Sequence, residues 1–157
     1  MRQTALQAIA VAGLAAGLVA SAALPAAAAQ PIRFSATPSS YVFEGVCSFP
    51  LEYTETVNKE TITIFSDGQT VVTGSYKVLL RNPTTGKTLS VNASGPQFFG
   101  SRSVVSGPQL FVLTAPDVGG SGVYLLRGRT EAVRDGNGYF SSIETNGTRS
   151  GNLCLQL

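Results

Sequence analysis

Hydrophobic and polar positions fall into two regimes along this chain. From Ala8 to Leu24 the residues are apolar or small and uncharged, and Pro25 ends the run. Beyond it, apolar residues alternate with polar ones in short stretches bounded by turn residues, the period of half-buried strands. Phe49, Leu51 and Tyr53 alternate with Ser48, Glu52 and Thr54, so the first clear strand opens at Cys47. The β-branched run Thr61 to Phe65 predicts a second strand, and Asp67-Gly68 supplies the positive φ angles of a tight hairpin. Thr70 to Thr73 returns as its partner, and Gly74 marks a bulge or kink. Tyr76, Val78 and Leu80 then share one face, with Lys77 and Arg81 on the other. Asn82 to Lys87 is a further turn, and Leu89, Val91 and Ala93 form the apolar face of the next strand.

The middle of the chain echoes itself: Ser94-Gly95-Pro96-Gln97-Phe98-Phe99 returns as Ser106-Gly107-Pro108-Gln109-Leu110-Phe111. Twin binding loops are one reading. Two successive corners using the same Gly-Pro turn chemistry is the simpler one, and it is preferred here. Leu110 to Thr114 is apolar on both faces and belongs deep in the fold. Pro116 to Gly122 is the most pliant loop, and Val123 to Val133 reads as one long strand bent at Gly128. Turns at Asp135 to Gly138 and at Asn146-Gly147 lead to a last strand ending in Leu153-Cys154-Leu155. The expectation is an all-β fold, a single antiparallel meander of seven or eight strands. A closed barrel is favoured over a sandwich because the hairpins run in sequence and closure removes exposed edges.

The apolar N-terminal run changes where this domain is expected to act. Met1-Arg2 gives a short basic start, and Ala27-Ala28-Ala29 places small residues before Gln30, so residues 1–29 read as a signal peptide cleaved before Gln30. A retained anchor is the rival, but a spanning helix needs about 20 predominantly apolar residues and this run is shorter and rich in Ala and Gly. Residues 30–46 form an N-terminal extension in which Phe34, Tyr41 and Phe43 surround the turn-like Thr37 to Ser40. It is either a mobile leader or an extra strand pair. Residues 47–157 form the all-β domain. The expected location is secreted, extracellular, with no stable membrane insertion after cleavage.

Export places Cys47 and Cys154 where disulfides persist, and two cysteines allow one pairing within the chain. Free buried thiols and a bridge between chains are the alternatives. The internal bridge closes a loop of about 100 residues, which chain entropy credits with roughly 4–5 kcal/mol, against a total stability of about 5–15 kcal/mol for a typical domain. It should bring the first and last strands together. Without Arg2 the chain carries 10 basic and 9 acidic side chains and no basic run, which gives no electrostatic case for nucleic acid.

The chain has no histidine, which removes Ser-His-Asp and Cys-His nucleophilic machinery and the commonest zinc and copper ligand. No metal site and no cofactor are expected. Nine carboxylates survive, of which turns account for Asp67 and Asp135 and outward strand faces for Glu52, Glu60 and Glu131. Arg127, Arg129 and Glu131 share a strand face and offer either an anion grip or a solvated row. Phe98 and Phe99 follow a Gly-Pro turn and line either a pocket mouth or the core. These four residues, Phe98, Phe99, Arg127 and Arg129, are the candidate ligand contacts.

Cys47 with Phe49-Pro50, Phe65 with Asp67-Gly68, Thr73-Gly74, Asn82-Pro83 with Thr85-Gly86-Lys87, Ser94-Gly95-Pro96 and Cys154 occur in an order that resembles a group of small, uncharacterised secreted two-cysteine β-domain proteins of high-GC Gram-positive bacteria. The resemblance implies a secreted β-domain and no activity. The functional expectation is a secreted, non-enzymatic β-domain acting by binding or by presenting a surface, toward a protein or a small apolar ligand. A barrel carrying a small apolar ligand is the alternative, and a cofactor-free enzyme ranks last.

Overall fold

The computed structural model describes residues 30–100 and 102–157; the signal-peptide reading of residues 1–29 lies outside them. Twelve strands run antiparallel, and no α-helix occurs among the described residues. The first five are β1 (Ile32–Ser35), β2 (Ser40–Phe43), β3 (Leu51–Ile64), β4 (Thr70–Arg81) and β5 (Thr88–Asn92). Next come β6 (Gln97–Phe99), β7 (Ser103–Ser106), β8 (Gln109–Leu113) and β9 (Gly122–Arg127). The last three are β10 (Arg129–Arg134), β11 (Phe140–Thr145) and β12 (Thr148–Arg149), followed by a 3-10 turn over Leu153–Gln156.

The long β3–β4 hairpin is the spine. One edge of β3 pairs with β2 near its start and with β1 near its end, and the far edge of β4 pairs with β5 and then β6. The order β1-β3-β4-β6-β7-β10-β11 completes a nine-stranded sheet, and a second sheet is ordered β12-β9-β8. The expected single meander of seven or eight strands closed as a barrel is therefore corrected: the described residues form twelve strands in two sheets. The ends of the large sheet do not pair with each other, and the second sheet is separate. The extension 30–46 is a strand pair docked on β3, with Tyr41, Phe43 and Tyr53 stacked at centroid distances of 5.5–6.1 Å.

Both faces of the small sheet are buried, which explains the unbroken apolar runs of β8 and β9. Leu110, Val112, Val123 and Leu125 pack with Leu51, Val78, Leu80 and Val91 at the base of the spine. Phe111, Leu113, Tyr124 and Leu126 pack with Ala132, Phe140 and Ile143 from the other end of the large sheet. The large sheet thus presents its inner face to the small one from two sides.

Gly128 explains why the predicted strand Val123 to Val133 is two strands in different sheets. Its φ is +102°, and a Cβ there would lie 2.9 Å from the Gly147 Cα, so the backbone swaps sheets where two glycines cross. Cys47 and Cys154, 107 positions apart in sequence, are bridged with a Cα–Cα distance of 5.6 Å. The bridge joins a loop before β3 to the terminal 3-10 turn rather than two strands. Asn152 sets that turn: its Oδ1 accepts from the Cys154 and Val123 N–H groups, both at 3.1 Å, so the chain winds where alternation predicted extension.

Candidate functional site

Strand register sorts side chains by face. The row Ile62–Val72–Gln97–Val105–Thr130 and the row Ile64–Thr70–Phe99–Ser103–Ala132 lie on the inner face, as do Ile32 and Phe34 opposite Ile64 and Ile62. The small sheet covers only part of this face. Ile32 stays 66% exposed, Phe34 47% and Phe99 37%, so the β1, β3 and β6 end presents apolar side chains to solvent.

Where the small sheet begins, a groove of about 450 Å³ opens. Its floor includes Phe99, Val105 and Ala132 of the large sheet, and its wall includes Gln109, Leu110, Phe111 and Val112. Four consecutive strand residues alternate in direction, so all four border one groove only along the strand's edge. That edge of β8 has no strand pairing among the described residues, β9 occupying the other. The Gln109 Oε1 is buried without a hydrogen-bond partner. Arg134, the one charged lining residue among those described, stacks 3.8 Å over the Phe140 ring and donates to the Gly138 carbonyl.

The sequence echo bears on this groove. Ser106 N donates to Pro96 O at 3.0 Å, so the two Gly-Pro corners lie side by side. One leads into the floor and the other into the wall, and each contributes a glutamine and a phenylalanine: Gln97 and Phe99, Gln109 and Phe111. Both copies of the echo thus border the same groove.

The four predicted ligand contacts do not converge. Phe99 lines the groove, whereas Phe98 pairs with Val71 and Val104 on the outer face. Arg127 ends β9 and pairs with Thr148, while Arg129 opens β10 and bonds Glu131 Oε1 at 2.8 Å. The row expected on one strand is split at Gly128, and Arg129–Glu131 is a solvated ion pair of little energetic weight.

A polar cluster on the inner face of the spine escaped the sequence reading. A bulge between Glu55 and Val57 shifts the alternation, so Glu60, expected to face outward, turns inward and is 8% exposed. Its Oε1 is buried and unpartnered, and burial, reinforced by the charge of Glu55, raises its pKa. Glu55 accepts from Tyr76 Oη at 2.9 Å through one oxygen, and from Ser39 N and Asn58 Nδ2 through the other. Since Tyr76 donates to Glu55, Tyr53 donates to Tyr76 across 2.5 Å. Burial pushes the Tyr53 phenol up to about 12 and that of Tyr76 higher still, so both hold their protons. Neither Glu55 nor Glu60 lines the groove.

The pliant loop expected over Pro116 to Gly122 is pinned. Asp117 accepts from Thr114 N at 2.6 Å, Thr114 Oγ1 at 2.8 Å and Phe140 N at 2.7 Å. Burial alone would raise its pKa, but these donors and the charge of Arg134 together outweigh it and hold the pKa below the usual aspartate value.

Among the described residues no helix is long and apolar enough to cross a membrane, and no three metal-ligating side chains cluster. Compared with protein-family models, curated proteins and solved structures, the chain matches none.

Proposed function

We propose that this is an exported, non-enzymatic binding domain of the kind its two-cysteine pattern resembles, and that its working surface is the inner face of the large sheet. The carrying observation is that Ile32, Phe34 and Phe99 share one exposed face that runs into the groove beside β8. Apolar surface gathered on one face marks an interaction site, whereas scattered exposed side chains do not. The Cys47–Cys154 bridge is compatible with an extracellular setting.

A second reading has one observation in its favour. The groove volume falls in the range of small-molecule sites, which fits a carrier of a small apolar ligand, although the groove lies between two sheets and not inside a barrel. Native mass spectrometry of protein purified from its own host tests the pair. A bound small molecule selects the carrier. A bare mass, together with apolar-dye fluorescence that Phe34→Asp and Phe99→Asp abolish, selects the binding surface. A bare mass with no dye response removes both.

A further inference from the structure

We propose that the groove receives an extended apolar polypeptide segment from a partner protein, which adds to the free edge of β8 as a further strand of the small sheet and carries a carboxylate toward Arg134. The inference rests on the reading of the inner face as a binding surface and names its occupant.

Three observations favour a peptide backbone over a purely apolar ligand. The groove runs along a strand edge that no described strand pairs, so β8 offers N–H and C=O groups at the spacing of a ladder. The buried Gln109 Oε1 lacks a donor, which a backbone N–H supplies and a hydrocarbon does not. The small sheet also stops short of the floor it faces. Its three strands cover one part of a large sheet whose main path is seven strands wide, and Phe99, Phe34 and Ile32 of that sheet's inner face stay 37–66% exposed. An added strand continues the small sheet over that bare floor, with alternate side chains pointing down onto Phe99 and Val105.

Charge sets the polarity of the occupant. Among the described residues, Arg134 is the one ionic group lining the groove, and no acid lines it. The nearby Asp117 is already occupied by three donors from Thr114 and Phe140. An occupant with an acidic end therefore complements the site, and one with a basic end meets uncompensated repulsion.

The test uses the disulfide-bonded protein and synthetic peptides of about seven residues, a usual strand length, alternating Val and Thr and ending in Glu. Two controls carry either a terminal Lys or N-methyl groups on alternate residues. Anilinonaphthalene sulfonate and dodecanoate serve as apolar probes without a backbone. The expected result is slowed amide exchange across Gln109–Leu113 on binding the Glu peptide, and affinity at least about tenfold weaker for the N-methylated peptide, since several hydrogen bonds are lost together. The Lys peptide is weaker than the Glu peptide. Equal binding of the N-methylated peptide, or exchange unchanged in β8, overturns strand addition. Binding of the dye or dodecanoate but of no peptide also overturns it and leaves the apolar surface standing. Silence from every probe removes the surface reading as well.

Discussion

Gly74 lies directly opposite Glu60 in the β3–β4 ribbon, and a Cβ built at position 74 would stand 2.6 Å from the Glu60 Cα. With a φ of +144°, position 74 also holds a backbone that L side chains rarely adopt. The two strands cross this closely because one has no side chain there. Gly74→Ala should cost about 3 kcal/mol through overlap and backbone strain combined, read as a lower urea midpoint with an unchanged slope. A loss under about 0.5 kcal/mol, as at an ordinary surface position, would contradict the close approach.

Glu60 makes stability depend on pH in an unusual direction for an acid. Its folded-state pKa is raised above the unfolded value, so the folded protein holds the proton more tightly. The stabilisation is complete below the unfolded carboxylate range and is lost as pH rises through the raised folded value. Glu60→Gln removes that dependence. Urea midpoints followed from acid to neutral pH should fall more steeply in the native protein than in the variant. Parallel curves would place the Glu60 carboxyl in water.

Asp117 carries the opposite sign. Its pKa is lowered, so its contribution is present above the unfolded value and disappears as pH falls through the folded one. Asp117→Ala removes the acceptor for two backbone N–H groups and one hydroxyl, and should cost about 2–4 kcal/mol at neutral pH. The gap from the native protein should narrow below the ordinary aspartate range. Because Asp117 ties the β8–β9 loop to the start of β11, amide exchange at Phe140 should quicken in the variant.

Cys47 and Cys154 close nearly the whole described domain. The double variant Cys47→Ala, Cys154→Ala should lose roughly 4–5 kcal/mol by loop-closure entropy, measured by urea unfolding of the oxidised native protein against the variant. Two thiols titrating per chain in the unreduced, denatured protein would show that the bridge does not form. Cys154 lies in the main core cluster beside Leu153 and Leu157, so the loss extends to packing where the chain ends.

The boundaries of this fold were legible wherever turn chemistry is local. Asp67-Gly68, Asn82 to Lys87 and Asp135 to Gly138 sit at hairpin ends because their side chains and φ angles need nothing distant. What alternation cannot announce is a change of phase. The bulge after Glu55 adds one residue without a Gly or Pro to mark it, inside one continuous strand, Leu51–Ile64, that alternation divides into separate strands at Cys47 and Thr61. Nothing local therefore ties the face of Glu60, Ile62 and Ile64 to that of Leu51 and Tyr53. Gly128 was visible as a bend, but whether a bent strand stays in its sheet depends on Gly147, nineteen positions away. The groove was half legible. The Gly-Pro echo and Phe99 stood out, whereas pairing Gln97 with Gln109 required knowing that the two corners lie side by side in different sheets.

Phe98 and Phe99 offer a direct test of which face works. They are neighbours in one short strand and similarly exposed, 41% and 37%, yet point to opposite sides of the sheet. Loss of either ring should cost similar stability, since each gives up comparable packing against its own face. Their effects on binding should diverge. Phe99→Ser removes an aromatic wall of the groove and should weaken binding of an apolar dye about tenfold, the equivalent of one partly buried ring. Phe98→Ser should leave it unchanged within error. Equal losses from both would mean that the dye reports general loosening of β6. Loss from Phe98→Ser alone would move the working surface to the outer face, where Val71 and Val104 flank that ring.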